Sequence, residues 1–192
     1  YIPPFNKDWG YYEDAVDGQV PHTYSIYGDI AMETLLQTAK PLIEKYTNTK
    51  LIETYAYARM YKKGDILKRH KDRFSCEISS TINLGGDKWP IYIATKPSDG
   101  MYIAPKPLDG DKDTLGKYIP SKSKGLKVNL NPGDVLLYKG GLLEHWRTAF
   151  KGENCGQVFL HYNNATTKDA KTNAFEGRPH LGLPAWFRNS KI

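Results

Sequence analysis

The sequence predicts a mainly β protein with one flanking helix, folded as an antiparallel sandwich or jelly roll. One stretch with helical apolar spacing precedes about seven short strands, and turn signals of Gly, Pro, Asn and Asp separate those strands. The 14 tyrosines, together with Thr, Ile and Val near them, also favour strands. At 192 residues the chain is interpreted as a single domain, residues 1–192.

The first quarter of the chain is predicted to be an arm followed by a helix. Residues 1–28 are rich in Pro, Gly, Tyr and Asp, so we expect an irregular arm with one short strand. Residues 29–46 have apolar positions three and four apart, which predicts a helical region. Asp29 is the predicted N-cap, and Pro41 is expected to kink or split the helix.

The jelly-roll core is predicted over about residues 51–162, where apolar and polar residues alternate. Asn131–Asp134 is a predicted turn. Residues 96–125 are predicted to be a long loop, and the tail, residues 163–192, is predicted to be weakly ordered. Substrate choice is expected to lie in this loop and in the arm, because loops on a rigid scaffold carry specificity. The predicted strands are 52–61, 66–72, 77–84, 89–95, 127–130, 135–138 and 156–162.

Composition and charge set limits on partners and compartment. The net charge is +6, but the basic residues are scattered outside one dense group at positions 62–73, so a solvated basic surface is favoured. Cys76 and Cys155 make neither a disulfide framework nor a zinc-type spacing. They are interpreted as inert core thiols in a reducing compartment, which favours a cytoplasmic location. No apolar run approaches the ~20 residues that span a bilayer, so no membrane partner is predicted.

A candidate metal site is the most specific functional signal in the chain. It combines His70, Asp72 and His145, and two histidines with one carboxylate form the facial ligand set of non-haem iron(II) sites. His70 and Asp72 are two residues apart, so on an extended strand they point to the same side. The distant His145 must be brought in by the fold, which suits a barrel better than a helix pair.

Around these residues the chain resembles the iron(II)/2-oxoglutarate-dependent dioxygenases, most nearly their prolyl-4-hydroxylase-like branch. The resemblance implies a double-stranded β-helix, which is a distorted, cupin-like jelly roll. It also implies that His70, Asp72 and His145 bind Fe(II), with 2-oxoglutarate and O2 as co-substrates. The resemblance covers roughly residues 51–162 and is carried by residues 57–64, 70–72, 80–84, 131–138, 145 and 157–162.

The resemblance also implies which residues contact 2-oxoglutarate. Tyr61 matches a family tyrosine that hydrogen-bonds the co-substrate, and Thr81 falls near another position that lines its pocket. The family usually places an Arg or Lys nine to twelve positions after the distal histidine. Here residues 154–157 fill that window with Asn, Cys, Gly and Gln, which is a departure from the pattern.

Three basic residues are therefore candidates for binding the distal carboxylate of 2-oxoglutarate, because a buried carboxylate without a partner is costly. Arg147 is the first candidate, since it lies two residues after His145 and shares its inward face on an extended segment. Its guanidinium also forms planar bidentate pairs with carboxylates. Arg59, on the strand face of Tyr61, is the second candidate, and Lys151 is the third.

The implied reaction is hydroxylation of a C–H bond with release of succinate and CO2. The resemblance suggests a proline-like or other amino-acid or peptidyl substrate, and the basic group near residues 70–72 favours an anionic one. His161 is a candidate for a substrate contact or for supporting a metal ligand. A jelly-roll module that binds metal without catalysis, or a metal enzyme that uses no 2-oxoglutarate, are alternatives. Nucleic-acid demethylation is a minor one, because no aromatic-basic stacking motif supports a nucleic-acid partner.

Overall fold

The computed structural model describes residues 11–12, 19–21, 23–103 and 116–178. Most of the predicted arm, the middle of the predicted 96–125 loop and the end of the tail lie outside these residues. The expectation that substrate choice resides in the arm and the loop therefore stays a prediction for those parts.

A single α-helix, α1 (Ile30–Thr47), precedes the core strands. Asp29 Oδ1 accepts a hydrogen bond from the Ala31 amide at 2.9 Å, which confirms the predicted N-cap. Pro41 does not split the helix, which continues through it to Asn48, whose left-handed φ of 49° ends the last turn. No helix in the described residues is long and apolar enough to cross a membrane.

Twelve strands form three antiparallel sheets in the described part of the chain. The larger sheet has the order β1-β2-β3-β12-β5-β10, the smaller one β4-β11-β6-β9, and β7 pairs with β8 as a ribbon. In chain order the strands are β1 (Tyr11–Tyr12), β2 (Tyr24–Tyr27), β3 (Leu51–Lys62), β4 (Leu67–His70), β5 (Ile78–Gly86), β6 (Ile91–Ile93), β7 (Met101–Ile103), β8 (Lys117–Ile119), β9 (Leu126–Val128), β10 (Val135–Tyr138), β11 (His145–Arg147) and β12 (Asn154–Asn164).

The helix covers the outer face of the larger sheet. Val158 and Leu160 on β12 pack against Leu36 and Ile43 of α1, and all four side chains are buried. The Tyr162 hydroxyl adds a hydrogen bond to the Leu36 carbonyl at 2.7 Å. Since alternate residues of a strand point to opposite faces, the other set on β12 points toward the smaller sheet. β12 is thus buried on both faces, which explains its nearly unbroken burial.

The interior lies between the two larger sheets. One apolar cluster joins Tyr61 and Phe159 of the larger sheet to Leu67 of the smaller one, with Trp89 and Phe150 beside them. Two antiparallel sheets that enclose a core, with one helix on the outside, are the architecture of a jelly roll. The predicted fold class, mainly β with a flanking helix in a cupin-like double-stranded β-helix, is confirmed.

Several element predictions were wrong in detail. The predicted 96–125 loop contains β7 and β8, whose three-residue lengths are too short to produce a visible period. The predicted strand 66–72 ends at His70, so Asp72 lies beyond it. In the predicted weakly ordered tail, residues 163–164 belong to β12, and Arg178 forms an ion pair with buried Glu33 of the helix at 2.6 Å, whereas residues 179–192 lie outside the described part of the chain.

Candidate metal centre and its cavity

Three side chains with metal-binding atoms converge where the smaller sheet meets the larger one. β4 and β11 pair so that His70 lies directly opposite His145. Asp72 Oδ1 is 3.4 Å from Nε2 of each histidine, and all three donor atoms lie within 4.8 Å of one another. The structure therefore brings together the three residues that the sequence predicted to bind the metal.

The backbone orients both imidazoles for metal binding. His70 Nδ1 donates to the Lys68 carbonyl at 2.7 Å, and His145 Nδ1 donates to the Leu143 carbonyl at 3.0 Å. A carbonyl can only accept, so the proton of each neutral ring sits on Nδ1 and Nε2 keeps its lone pair. Two imidazole Nε2 atoms and one carboxylate oxygen, directed at one point, fit an Fe(II) ion.

Asp72 is held from two sides although it lies beyond the end of β4. Its amide donates to the Gly140 carbonyl at 2.9 Å, and its Oδ2 accepts from Ser79 Oγ at 2.9 Å. Oδ1 is thus left to face the histidines. A Cβ on Gly140 would overlap both Asp72 Oδ2 and Ser79 Oγ, so only glycine fits there. Sequence reasoning missed Ser79 and Gly140, because neither belongs to a ligand motif.

Burial and mutual charge set the protonation of the centre. Burial opposes ionisation of Asp72, but the two histidines outweigh it and hold its pKa well below the usual value. Burial and the neighbouring His145 lower the pKa of His70. Burial also opposes protonation of His145, yet Asp72 raises its pKa above the usual value. A cation at this position would replace the proton of the His145–Asp72 pair.

Gln19 contacts the centre from the N-terminal side. Its Nε2 lies 2.8 Å from His70 Nε2, and since that nitrogen carries no proton, the amide donates to it. Its Oε1 accepts from Arg59 Nη1 at 3.3 Å. Gln19 thus stands at the lone pair that a metal ion would use, and it must move when a metal binds. No sequence motif marked this residue.

A cavity of about 630 Å³ opens beside the three donors. Its wall contains two of the residues predicted to bind 2-oxoglutarate, Arg59 and Tyr61. Thr81 does not line it, because its hydroxyl is buried and donates to Gln157 Oε1 at 3.1 Å. Lys151 is exposed and is also absent from the lining.

Arg147 lies buried behind the cavity lining. It is 1% exposed, and its guanidinium donates to the Trp89 carbonyl and, at 3.2 Å, to Gln157 Oε1. Both acceptors are neutral, no described carboxylate lies within ion-pair distance, and its Nε has no hydrogen-bond partner among the described residues. Burial lowers its pKa. Gln157, its partner, is twelve residues after His145, at the end of the window where the family places its basic residue.

The hydroxyl of Tyr61 is a second buried polar atom without a described hydrogen-bond partner. Tyr61 lines the cavity. Tyr61 and Tyr138 are both close enough to Arg147 to influence the pKa of its guanidinium. An unsatisfied hydroxyl in the cavity lining and an uncompensated guanidinium behind that lining fit an anionic ligand, because burying either alone is unfavourable.

The remaining predicted residues lie in the cavity lining or in the core beside it. His161 lines the cavity, and its Nδ1 lies 3.0 Å from Ser79 Oγ, which also holds Asp72. Of the basic group at positions 62–73, Lys71 and Arg73 line the cavity. Cys76 and Cys155 are buried and free. Cys76, Asp72 and His161 also lie close enough together to hold a metal ion. However, burial and the charge of Asp72 raise the pKa of Cys76, so its thiol stays protonated.

Comparison with known proteins identifies the fold. No family model and no curated sequence matches the chain. Among solved structures it is similar to the non-heme α-ketoglutarate-dependent epimerase SnoN from nogalamycin biosynthesis, with a TM-score of 0.54 and 12% identity over 80% of this chain and 67% of that one. AviO1 from Streptomyces viridochromogenes gives a TM-score of 0.53 and 14% identity over 84% and 76% of the two chains. E. coli ycfD gives 0.51 and 16% identity over 81% of this chain.

The likeness establishes a shared fold. The identities are too low to carry over an activity, and the chain spans only 38% of the length of ycfD. The prolyl-4-hydroxylase-like branch therefore stays a prediction. The protein is thus a cupin-like jelly roll with a candidate metal centre inside its barrel.

Proposed function

We propose that this protein is an Fe(II)- and 2-oxoglutarate-dependent oxygenase that hydroxylates a C–H bond and releases succinate and CO2. The observation that carries the proposal is the convergence of His70, Asp72 and His145, with both Nδ1 atoms hydrogen-bonded to backbone carbonyls and both Nε2 atoms 3.4 Å from one Asp72 oxygen. The fold shared with SnoN, which is described as α-ketoglutarate-dependent, supports it.

In this proposal the three ligands hold iron, which supplies the oxygen chemistry when it is bound. Arg147 binds the distal carboxylate of 2-oxoglutarate, because it is a buried guanidinium with neutral acceptors only. Tyr61 donates its unsatisfied hydroxyl to the same carboxylate. Since Arg147 does not line the cavity as it stands, binding requires the cavity to extend past Tyr61. The enclosing sheets keep water from the reacting atoms.

Anaerobic titration with Fe(II) and 2-oxoglutarate tests the proposal. We expect a weak visible metal-to-ligand charge-transfer band that saturates with 2-oxoglutarate. His70→Ala, Asp72→Ala and His145→Ala should each lose iron binding. Absence of the band, or stoichiometric iron in all three variants, would contradict the proposal and favour a jelly-roll module that does not use 2-oxoglutarate.

Arg147 and Arg59 can be separated in the same titration. Truncating one partner of a buried charge pair costs about 2–5 kcal/mol, so Arg147→Ala should raise the Kd of 2-oxoglutarate by more than about tenfold while iron still binds. Arg147→Lys, which keeps the charge, guards against a folding defect and should lose less. Arg59→Ala should leave the 2-oxoglutarate Kd nearly unchanged, and the opposite ranking would reassign the carboxylate to Arg59.

A further inference from the structure

A second group of metal-binding side chains shares Asp72 with the candidate metal centre. Cys76, His161 and Asp72 each offer one donor atom, and these three atoms lie within 4.8 Å of one another. The two histidines of the candidate centre lie 3.4 Å from Asp72 Oδ1, whereas Oδ2 accepts from Ser79 Oγ at 2.9 Å. The same Ser79 oxygen lies 3.0 Å from His161 Nδ1. The two oxygens of Asp72 therefore face different polar groups.

The fold holds this second group in place. His161 on β12 pairs with Tyr55 on β3 and with Ser79 on β5, so these three residues form one row across the larger sheet. Residues 74–76 form a single 3₁₀ turn that ends in Cys76, which is buried. Cys76, His161 and Tyr55 all line the cavity. Strand pairing and a short turn thus position the donors, and a cation can reach them through the cavity.

The residue types of the second group select a soft cation. Cys76 offers sulfur, His161 nitrogen and Asp72 oxygen, and a cysteine ligand favours zinc-like ions over Mg(II) or Ca(II). Zinc sites that keep an open position use three protein ligands of these kinds and leave the fourth position to water. The candidate iron centre contains only nitrogen and oxygen donors. The two groups therefore differ in the metal that they prefer.

The Cys76 thiol must lose its proton when a cation binds, and its surroundings allow this. A coordinating thiol is deprotonated outright, and the proton leaves to solvent as the sulfur–metal bond forms. Tyr55 Oη lies 3.0 Å from Cys76 Sγ and can donate to the resulting thiolate, and this contact lowers the pKa of Cys76 against the effect of burial. Burial lowers the pKa of His161 to about 4, so its ring is neutral at neutral pH and keeps a lone pair.

We propose that Cys76, His161 and Asp72 form a second cation site, which takes a thiophilic divalent ion such as Zn(II) or Cd(II). This thiolate site shares only Asp72 with the candidate iron centre. One carboxylate then serves both groups, and two neighbouring dications repel each other, so each ion weakens the binding of the other by the same factor. The inference goes beyond the proposed function and does not depend on 2-oxoglutarate or on any reaction.

Titration of the reduced, metal-free protein with Cd(II) tests the thiolate site, because a sulfur–cadmium bond gives a charge-transfer band in the ultraviolet. The candidate iron centre has no sulfur donor, so cadmium bound there does not contribute to the band. We expect a saturable band in the wild type and also in the His70→Ala/His145→Ala double variant, which keeps all three ligands of the thiolate site. Absence of the band in the wild type overturns the proposal.

The two cysteines of the chain give a matched pair of variants. Both are buried and free, but in the described part of the chain Cys155 belongs to no group of metal-binding atoms, and its Sγ accepts from Gln157 Nε2 at 3.1 Å. Cys76→Ser should lose the sulfur–cadmium band, whereas Cys155→Ser should keep it. A band that survives Cys76→Ser, or that disappears in Cys155→Ser, overturns the assignment.

His161→Gln is the second variant if Cys76→Ser does not fold, and it keeps the thiol that gives the band. Groups that only orient a metal ligand are worth about 10–100-fold in affinity, so loss of a ligand should raise the Kd of Cd(II) by at least about tenfold. Asp72→Ala should raise it at least as much. An unchanged Kd in both variants contradicts the proposed ligand set.

Added Fe(II) shows whether the two sites share Asp72. Under anaerobic conditions Fe(II) should raise the cadmium Kd, measured from the sulfur band, in the wild type but not in the His70→Ala/His145→Ala variant. An equal effect in both proteins would mean that Fe(II) competes at the thiolate site itself, and no effect in either would contradict the shared carboxylate. If the sulfur band forms but no iron–2-oxoglutarate band does, the proposed function fails and the thiolate site stands.

Discussion

At the scale of single residues, protonation decides what the buried groups of the cavity can do. His70 and His145 each give Nδ1 to a backbone carbonyl, so the backbone itself leaves Nε2 free for a metal. His161, in the same cavity, differs from His145 because burial outweighs the opposing charge of Asp72 and lowers its pKa. Three histidines within one cavity therefore have different pKa values.

His161 makes folding stability depend on pH. Burial lowers its pKa to about 4, whereas an unfolded histidine titrates near 6.5, so the unfolded chain binds more protons between these values. The stability contributed by neutral His161 is present above pH 6.5 and is lost as the pH falls toward 4. Between pH 7.5 and pH 5 the wild type should lose about 2 kcal/mol more unfolding free energy than His161→Gln, measured by urea denaturation. Equal losses would contradict this prediction.

At the scale of elements, the candidate metal ligands depend on the turn between β10 and β11. This turn brings Gly140 against Asp72 and Ser79, and it leads the chain into β11, where His145 begins the strand. Glu144, just before His145, is fully buried and accepts from Arg69 at 2.9 Å and from the Ser121 amide at 2.9 Å. The approach to His145 is therefore fixed by hydrogen bonds from the neighbouring strand β4 and from the segment that follows β8.

Two adjacent glycines in this turn give a matched pair of variants. Gly140→Ala would push a methyl group into Asp72 and Ser79, whereas Gly141→Ala meets only ordinary van der Waals contacts, the nearest at 3.7 Å. Because groups that orient a ligand are worth about 10–100-fold in metal affinity, we expect Gly140→Ala to weaken Fe(II) binding by at least about tenfold. Gly141→Ala should bind like the wild type in the same anaerobic titration. Similar Fe(II) affinities for the two variants would show that the turn does not determine the position of the Asp72 carboxylate.

At the scale of the whole molecule, the candidate centre exists only when both sheets are formed. His70 and His145 come from the smaller sheet, while Ser79, which holds Asp72, belongs to the larger one. The unfolded chain separates these groups, so it does not contain the three-ligand site. Metal binding and folding are therefore linked.

This linkage predicts that metal stabilises the fold. At a free Fe(II) concentration one hundred times the Kd, the native state gains about 2.7 kcal/mol, which for a domain of this size raises the Tm by about 5–10 °C. Anaerobic thermal unfolding with and without Fe(II) measures the shift, and excess chelator should reverse it. The His70→Ala/His145→Ala double variant should show no shift, and an equal shift in that variant would place the stabilising metal elsewhere.

The sequence alone determined the fold class and the three candidate ligands. Strand alternation and the Asn131–Asp134 turn are local signals. His70, Asp72 and His145 are two histidines and a carboxylate, which are the residue types of a non-haem iron(II) ligand set. The same local signals could not reveal β7 and β8, which are too short for a period, or the end of β4 at His70.

Only the tertiary structure decided which side chains complete the cavity. It showed that Gln19 contacts His70 and that Ser79 and Gly140 contact Asp72. It also showed that Arg147 donates to Gln157. It also showed that Arg59 lines the cavity, whereas Lys151 and Arg147 do not. The physical reason is that ligand identity is a property of residue types in sequence, whereas a cavity is formed by strands that pair across more than a hundred residues of chain, such as β3 with β12.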